Sequence, residues 1–126
     1  MEERSSFMDR PWFKFWPEGV PKTLEYPNVP LHTFLERSAK EFPAKTCIVF
    51  FGKRISYGEL NNLVDRFATA LHRLGIGKGD VVALYLPNMP QFVIAYYAVL
   101  KLGGIVSGVS PLVVERELEF QLADSE

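Results

Sequence analysis

Two neighbouring segments constrain this chain more than anything else in it. Residues 81–86, Val-Val-Ala-Leu-Tyr-Leu, are apolar almost without interruption, and residues 91–102 follow as a helix-length stretch that is apolar nearly all round. A run of strand length with no polar alternation predicts a strand covered on both faces, as in a parallel sheet. A helix without a polar face has to be buried. Asn88 is placed to cap that helix, and Pro90 suits its first turn. Gly103-Gly104 ends it, and residues 105–109 read as the next strand. Strand, buried helix and strand together predict a parallel crossover unit.

The preceding stretch supplies the other elements. Leu31, Phe34, Leu35, Ser38, Ala39 and Phe42 recur at helical spacing between Pro30 and Pro43. Residues 46–51 read as a strand, Gly52-Lys53 as a tight turn and residues 54–56 as a short return strand. Ser56 and Glu59 have the spacing of a capping box. The helix they begin carries Leu60, Leu63, Val64, Phe67, Ala68, Leu71 and Leu74 on one stripe and Asn62, Asp65, Arg66, Thr69 and His72 opposite, with Gly75 as its end. Gly77-Lys78-Gly79-Asp80 is a turn, and residues 114–123 form a last amphipathic helix. The expected fold class is α/β, a layered and partly parallel sheet with flanking helices.

The first 29 residues differ in kind. Pro11, Pro17, Pro21, Pro27 and Pro30 surround Trp12, Phe13, Phe15 and Trp16, which predicts an extended aromatic leader over 1–29 ahead of an α/β portion over 30–126. Rings of this size, Tyr26 included, are expected to pack against their own domain, against another subunit or against a domain outside this chain. Trp12, Phe13, Phe15 and Trp16 are therefore the candidate interface residues.

Composition excludes several classes. With a net charge of −1 and charges of both signs spread throughout, the sequence shows no basic stripe, so nucleic acid is not an expected partner. The longest unbroken apolar run, residues 92–100, is about half the roughly 20 residues that a spanning helix needs. Peripheral membrane contact stays open. The acidic start Met1-Glu2-Glu3-Arg4 is unlike a secretory signal, and a single cysteine fits a reducing, cytoplasmic setting. Cys47, inside a strand run, reads as a small core residue.

No group of residues here assembles an active site by itself. The glycines from Gly75 to Gly79 lack the spacing of a phosphate loop. Gly103, Gly104 and Gly108 lack the dinucleotide fingerprint and read as close packing. His32 and His72 have no partner at ligand spacing. Glu115, Glu117 and Glu119 with Arg116 sit where a helix dipole favours carboxylates.

Four ordered blocks nevertheless carry a resemblance. Ile55-Ser56-Tyr57-Gly58-Glu59-Leu60 comes first. Leu74-Gly75-Ile76-Gly77-Lys78-Gly79-Asp80-Val81-Val82-Ala83 with Leu86-Pro87-Asn88 is second. Leu100-Lys101-Leu102-Gly103-Gly104 through Ser110-Pro111-Leu112 is third, and Arg116-Glu117-Leu118, Gln121-Leu122 and Asp124-Ser125 complete the run. Together they resemble the adenylate-forming acyl-CoA synthetase superfamily. Arg10-Pro11-Trp12 and Trp16-Pro17-Glu18-Gly19-Val20-Pro21 resemble the leader of its long-chain fatty acid–CoA ligases. Leu112-Val113-Val114-Glu115 departs from the family pattern, which leaves the start of the last helix open.

The resemblance implies the first part of a large N-terminal domain. It also implies an activity for the whole enzyme: a fatty acid is joined to AMP from ATP with magnesium assisting, and coenzyme A then displaces AMP. The family motifs for that chemistry come after the position matching Glu126. No catalytic, cofactor-binding or metal residue is therefore assigned in this chain, and the chain alone is expected to be inactive. Self-association as a homo-oligomer is expected from an incomplete sheet. A ligase acting on medium-chain or aryl acids, or a non-catalytic interaction module derived from one, are the alternatives.

Overall fold

A computed structural model describes residues 10–125. The reading of the first four residues and the end of the chain at Glu126 lie outside the described residues. After a short 3₁₀ turn, Pro11–Phe15, the elements are α1 (His32–Glu41), β1 (Thr46–Phe50), β2 (Lys53–Ser56), α2 (Tyr57–Arg73), β3 (Val81–Tyr85), α3 (Pro90–Lys101), β4 (Ile105–Val109) and α4 (Glu115–Asp124). β1 and β2 form an antiparallel hairpin, and β3 and β4 pair in parallel from Val81 opposite Ile105 to Tyr85 opposite Val109. The α/β reading holds, with the parallel pair joined through α3 as the apolar pattern of 81–102 requires.

The core lies between the helices. α2 packs on both α1 and α3, and α3 also covers β3 and β4. Leu35, Ile55, Leu60, Val64, Ala68 and Ala98 are buried together. Val64 and Val99 are wholly out of solvent, each contributing roughly 1.5–3 kcal/mol by burial. α2 owes its start to the capping box: Glu59 N–H donates to Ser56 Oγ at 3.2 Å and Ser56 N–H donates to Glu59 Oε2 at 2.8 Å. Gly75, at φ +94°, ends it as expected.

Four local expectations are corrected. The hairpin turn is Phe51-Gly52 rather than Gly52-Lys53, because both residues have positive φ, +46° and +79°, as a two-residue turn of this hand demands. β1 accordingly stops at Phe50, and β2 begins at Lys53. Asn88 does not cap α3: Met89 is the residue before the helix and offers no side-chain cap, while Pro90 occupies the first turn as expected. The last helix starts at Glu115, after extended backbone at Val114. Finally, β3 is not covered on both faces: Leu84 is buried, Val81, Val82 and Ala83 are half-buried, and Tyr85 is exposed. Among the described residues it pairs only with β4.

Candidate functional site

The leader is not uniformly extended. Pro11 starts the 3₁₀ turn, which the ring-fixed φ of proline favours in a first turn. This turn brings three of the four candidate interface rings together. Trp12 and Phe13 meet edge-on at 6.3 Å, and Phe13 and Trp16 at 5.6 Å and 87°. The Trp16 indole donates to the Val20 carbonyl at 3.1 Å, folding the next turn back. Phe15 is 79% exposed, with the Lys14 ammonium 4.9 Å from the centre of its ring.

The cations form a pattern with the rings. Arg10 lies over Trp12 at 5.2 Å and Lys22 over Phe13 at 5.3 Å, contacts worth about 0.5–1 kcal/mol each at exposed sites. Among the described residues these rings lie outside the core cluster. They form an exposed aromatic patch edged with positive charge. A further apolar hollow lies beside Trp16, Val20, Pro21, Leu24 and Tyr26.

The strongest polar constellation was not read from the sequence. Lys101, near the end of α3, reaches Glu36 of α1 at 3.1 Å and contacts Asp65 of α2, and it donates to Asn61 Oδ1 at 3.1 Å. Its side chain is only 13% exposed. Burial opposes the charged lysine, but hydrogen bonds and charge from Asp65 and Glu36 outweigh it and hold the Lys101 pKa above its ordinary value. The only sequence signal was one lysine at the end of a helix otherwise free of charge. This cluster ties three helices together.

The carboxyl ends of β3 and β4 form an open crevice with Pro87, Asn88, Phe92, Ser110, Pro111 and Leu112 around it. Open α/β sheets bind ligands at such ends. The Tyr85 hydroxyl faces the carbonyls of Pro111 and Val113, 3.3 Å from each, and fixes the loop after β4. The Ser110 hydroxyl accepts the Leu112 N–H at 3.3 Å. Both polar side chains thus act on their own backbone.

The remaining candidates have structural partners. Gly77 N–H donates to Asp80 Oδ2 at 2.7 Å within the turn, and Gly79 N–H donates to the Gly103 carbonyl at the end of α3 at 3.0 Å, so both amides have partners within the fold. A Cβ on Gly104 would lie 2.8 Å from Val99 Cγ1, which is the close packing expected there. Cys47 packs against the core and its thiol contacts the Ile55 carbonyl at 3.3 Å; burial pushes its pKa up, the reverse of an activated thiol. His72 is exposed, whereas His32 keeps a buried Nδ1 with no hydrogen-bond partner among the described residues. The Glu117 carboxylate accepts the Val114 N–H at 3.3 Å, which explains it as a cap. Among the described residues no three His, Cys, Asp or Glu side chains gather as metal ligands. Nor is any described helix long and apolar enough to cross a membrane.

Comparison with known proteins gives the four sequence blocks their context. The chain is 44% identical over 117 residues to a long-chain-fatty-acid–CoA ligase of Bacillus subtilis, which covers 93% of this chain and 21% of that protein. It is 32% identical over 105 residues to 4-coumarate–CoA ligase 3 of Arabidopsis thaliana, covering 81% of this chain and 19% of the relative. The chain thus spans about a fifth of the length of the curated relatives it matches. Among solved structures, a Mycobacterium tuberculosis fatty acyl CoA synthetase superposes with a TM-score of 0.71 at 33% identity, covering 75% of this chain and 19% of that one. The N-terminal subdomain of Klebsiella oxytoca NpsA gives 0.73 at 24% identity over 76% of this chain and 25% of its own, which supports the fold alone. A family model described as "AMP-binding enzyme" matches residues 35–126, and the chain belongs to that family.

Proposed function

We propose that this chain is the N-terminal part of a ligase that activates long-chain fatty acids with ATP and magnesium and passes the acyl group to coenzyme A. One observation carries the choice of acid. The Bacillus ligase matches 93% of this chain, a span that cannot be placed without including Trp12 and Trp16. The plant coumarate ligase matches 81%, a span that can. The span matched by the Bacillus ligase takes in the aromatic leader, which supports the long-chain reading.

In this reading residues 30–126 act as framework and residues 1–29 as a leader that supports contacts. α3 holds the parallel pair and packs on α2, and the crevice at the carboxyl end of the pair abuts the chemistry supplied by the rest of the enzyme. The patch of Trp12, Phe13, Phe15 and Trp16 serves as an interface in a homo-oligomer or in peripheral contact with a membrane, in a cytoplasmic protein.

Acid-dependent ATP–pyrophosphate exchange by the full-length protein tests the substrate. Palmitate is expected to support the fastest exchange. A preference for 4-coumarate or a medium-chain acid would replace this reading with the other acyl or aryl branch. The 126-residue chain alone is expected to give no exchange.

A further inference from the structure

The distal half of the β1–β2 hairpin is divided lengthwise by charge. Val49 stands opposite Arg54 and Phe50 opposite Lys53, so each of the last two rungs sets an apolar residue beside a cation. Phe51 closes the hairpin at φ +46° and is 94% exposed, and Val49 is exposed as well. A left-handed backbone strains a bulky residue, and a ring left in solvent gains little from the fold in return. Asparagine suits the first position of this turn better. Strain that the fold does not need points to a contact made outside it.

The cations near the tip converge. Lys53 and Arg54 of β2 and Arg66 of α2 line one hollow of about 310 Å³, with Ile55 and Leu63 beside them. Glu59 is the carboxylate in its lining, and its Oε2 already accepts the Ser56 N–H at 2.8 Å. Among the described residues the ion pairs are made by Lys101, and Lys53, Arg54 and Arg66 take part in none. Like charges gathered without a counter-charge repel one another, and an anion between them relieves that repulsion.

We propose that this hairpin tip is a docking site for an anionic phospholipid bilayer. Phe51 and Val49 enter the boundary between head groups and acyl chains, and Lys53, Arg54 and Arg66 hold lipid phosphates. The occupant follows from the two features together. A free anion would use the cations and leave the exposed ring without a role, and an apolar ligand would do the reverse. The surface of an anionic bilayer offers apolar boundary and negative charge side by side. No described helix can cross a membrane, so the contact is peripheral. It lies apart from the aromatic leader and does not depend on the ligase reading. Vesicle binding can fail while pyrophosphate exchange succeeds, and the reverse.

Sedimentation of the full-length protein with vesicles decides it. Vesicles of phosphatidylcholine with phosphatidylglycerol are expected to bind at least about tenfold more tightly than phosphatidylcholine alone. Replacing Lys53, Arg54 and Arg66 together by glutamine is expected to remove that preference, at about fivefold per charge. Phe51→Asn is expected to weaken binding about fivefold while the protein stays folded, as its urea midpoint shows. All four side chains are exposed, so these variants leave the core intact. Wild-type protein that ignores both vesicles, or variants that bind as wild type does, would overturn the proposal. Binding lost only when Trp12 and Trp16 are replaced would also overturn it, because the leader would then be the contact. So would a dimer without vesicles that Phe51→Asn converts to monomer, because the tip would then hold a second copy.

Discussion

The Lys101 ammonium of α3 lies 2.5 Å from the Asp65 carboxylate of α2, with Glu36 of α1 3.1 Å away on the same nitrogen. One cation therefore serves three helices. Both carboxylates remain roughly half exposed, so solvent screens the attraction and each pair on its own is worth little. The lysine stem adds apolar packing that an alanine would lose. Lys101→Ala is expected to cost about 1–2 kcal/mol, and Asp65→Asn less than about 1 kcal/mol because Glu36 remains. Urea unfolding of the two variants checks the order. An Asp65→Asn loss larger than that of Lys101→Ala would contradict it.

The same cluster fixes a pH dependence. Lys101 has a folded pKa above its ordinary value, so its contribution is fully present below the unfolded value of about 10.4 and is lost as pH rises through the folded one. The contribution is therefore flat through neutral pH. Wild-type protein is expected to lose stability on going from about pH 10 upward by more than Lys101→Met does. Parallel melting curves at alkaline pH, with equal slopes for both proteins, would contradict this.

The α2 cap titrates at the other end of the scale. The backbone and side-chain hydrogen bonds from Ser56 hold the Glu59 carboxyl below its usual range. A lowered acid pKa means stabilisation that is present above the unfolded value of about 4.3 and is lost as pH falls through the folded one. Ser56→Ala is expected to cost about 1 kcal/mol near neutrality. Glu59→Gln is expected to flatten the acid limb of the stability profile below about pH 5 while keeping helix α2, as circular dichroism against pH can show.

Most of this fold could be read from the residues because local chemistry and packing agree. Ser56 and Glu59 mark a helix start, Gly75 marks its end, and the 81–102 run specifies a strand and a buried helix without any tertiary information. The misreadings occur where a residue acts against its type. Phe51 takes a positive φ that a bulky side chain rarely adopts, so glycine alone was taken as the turn signal. Asn88 has a capping side chain but sits one place too early, because Pro90 starts the helix and leaves Met89 in the cap position. The Lys101 cluster was invisible for another reason. Its partners are 36 and 65 residues away in sequence, and each looks like an ordinary surface charge. The leader rings could be named, but what they touch depends on tertiary contacts that spacing does not encode.

Phe51 offers a test of its own. It is 94% exposed at φ +46°, and among the described residues its only ring partner is Phe50 at 4.5 Å. A left-handed conformation costs an ordinary residue about 1–2 kcal/mol, and an exposed ring contact recovers part of that. Asparagine tolerates the conformation and forms the preferred Asn-Gly turn with Gly52. Phe51→Asn is expected to raise stability by up to about 1 kcal/mol, read as a higher urea midpoint with an unchanged slope. A lower midpoint would mean that the ring contact outweighs the backbone strain.

Gly104 and Gly77 look alike in the sequence, each in a glycine pair or triplet that closes a turn before a strand, yet they should respond oppositely to a methyl group. A Cβ at Gly104 would lie 2.8 Å from Val99 Cγ1 and 3.1 Å from the Asp80 carbonyl. Neither neighbour can yield: Val99 is wholly buried, and the Asp80 carbonyl is held by the Ile105 N–H that opens the parallel ladder. Gly104→Ala is therefore expected to cost about 1–3 kcal/mol, as overpacking of a filled core does. At Gly77 nothing lies within 4 Å of the added carbon and φ is not in the left-handed region. There the methyl restricts the unfolded chain without straining the folded one, so Gly77→Ala is expected to be neutral or stabilising by up to about 1 kcal/mol. Chemical denaturation of the two variants side by side reads the difference directly. Equal losses at both positions would show that the approach of β4 to the end of α3 is looser than its geometry indicates.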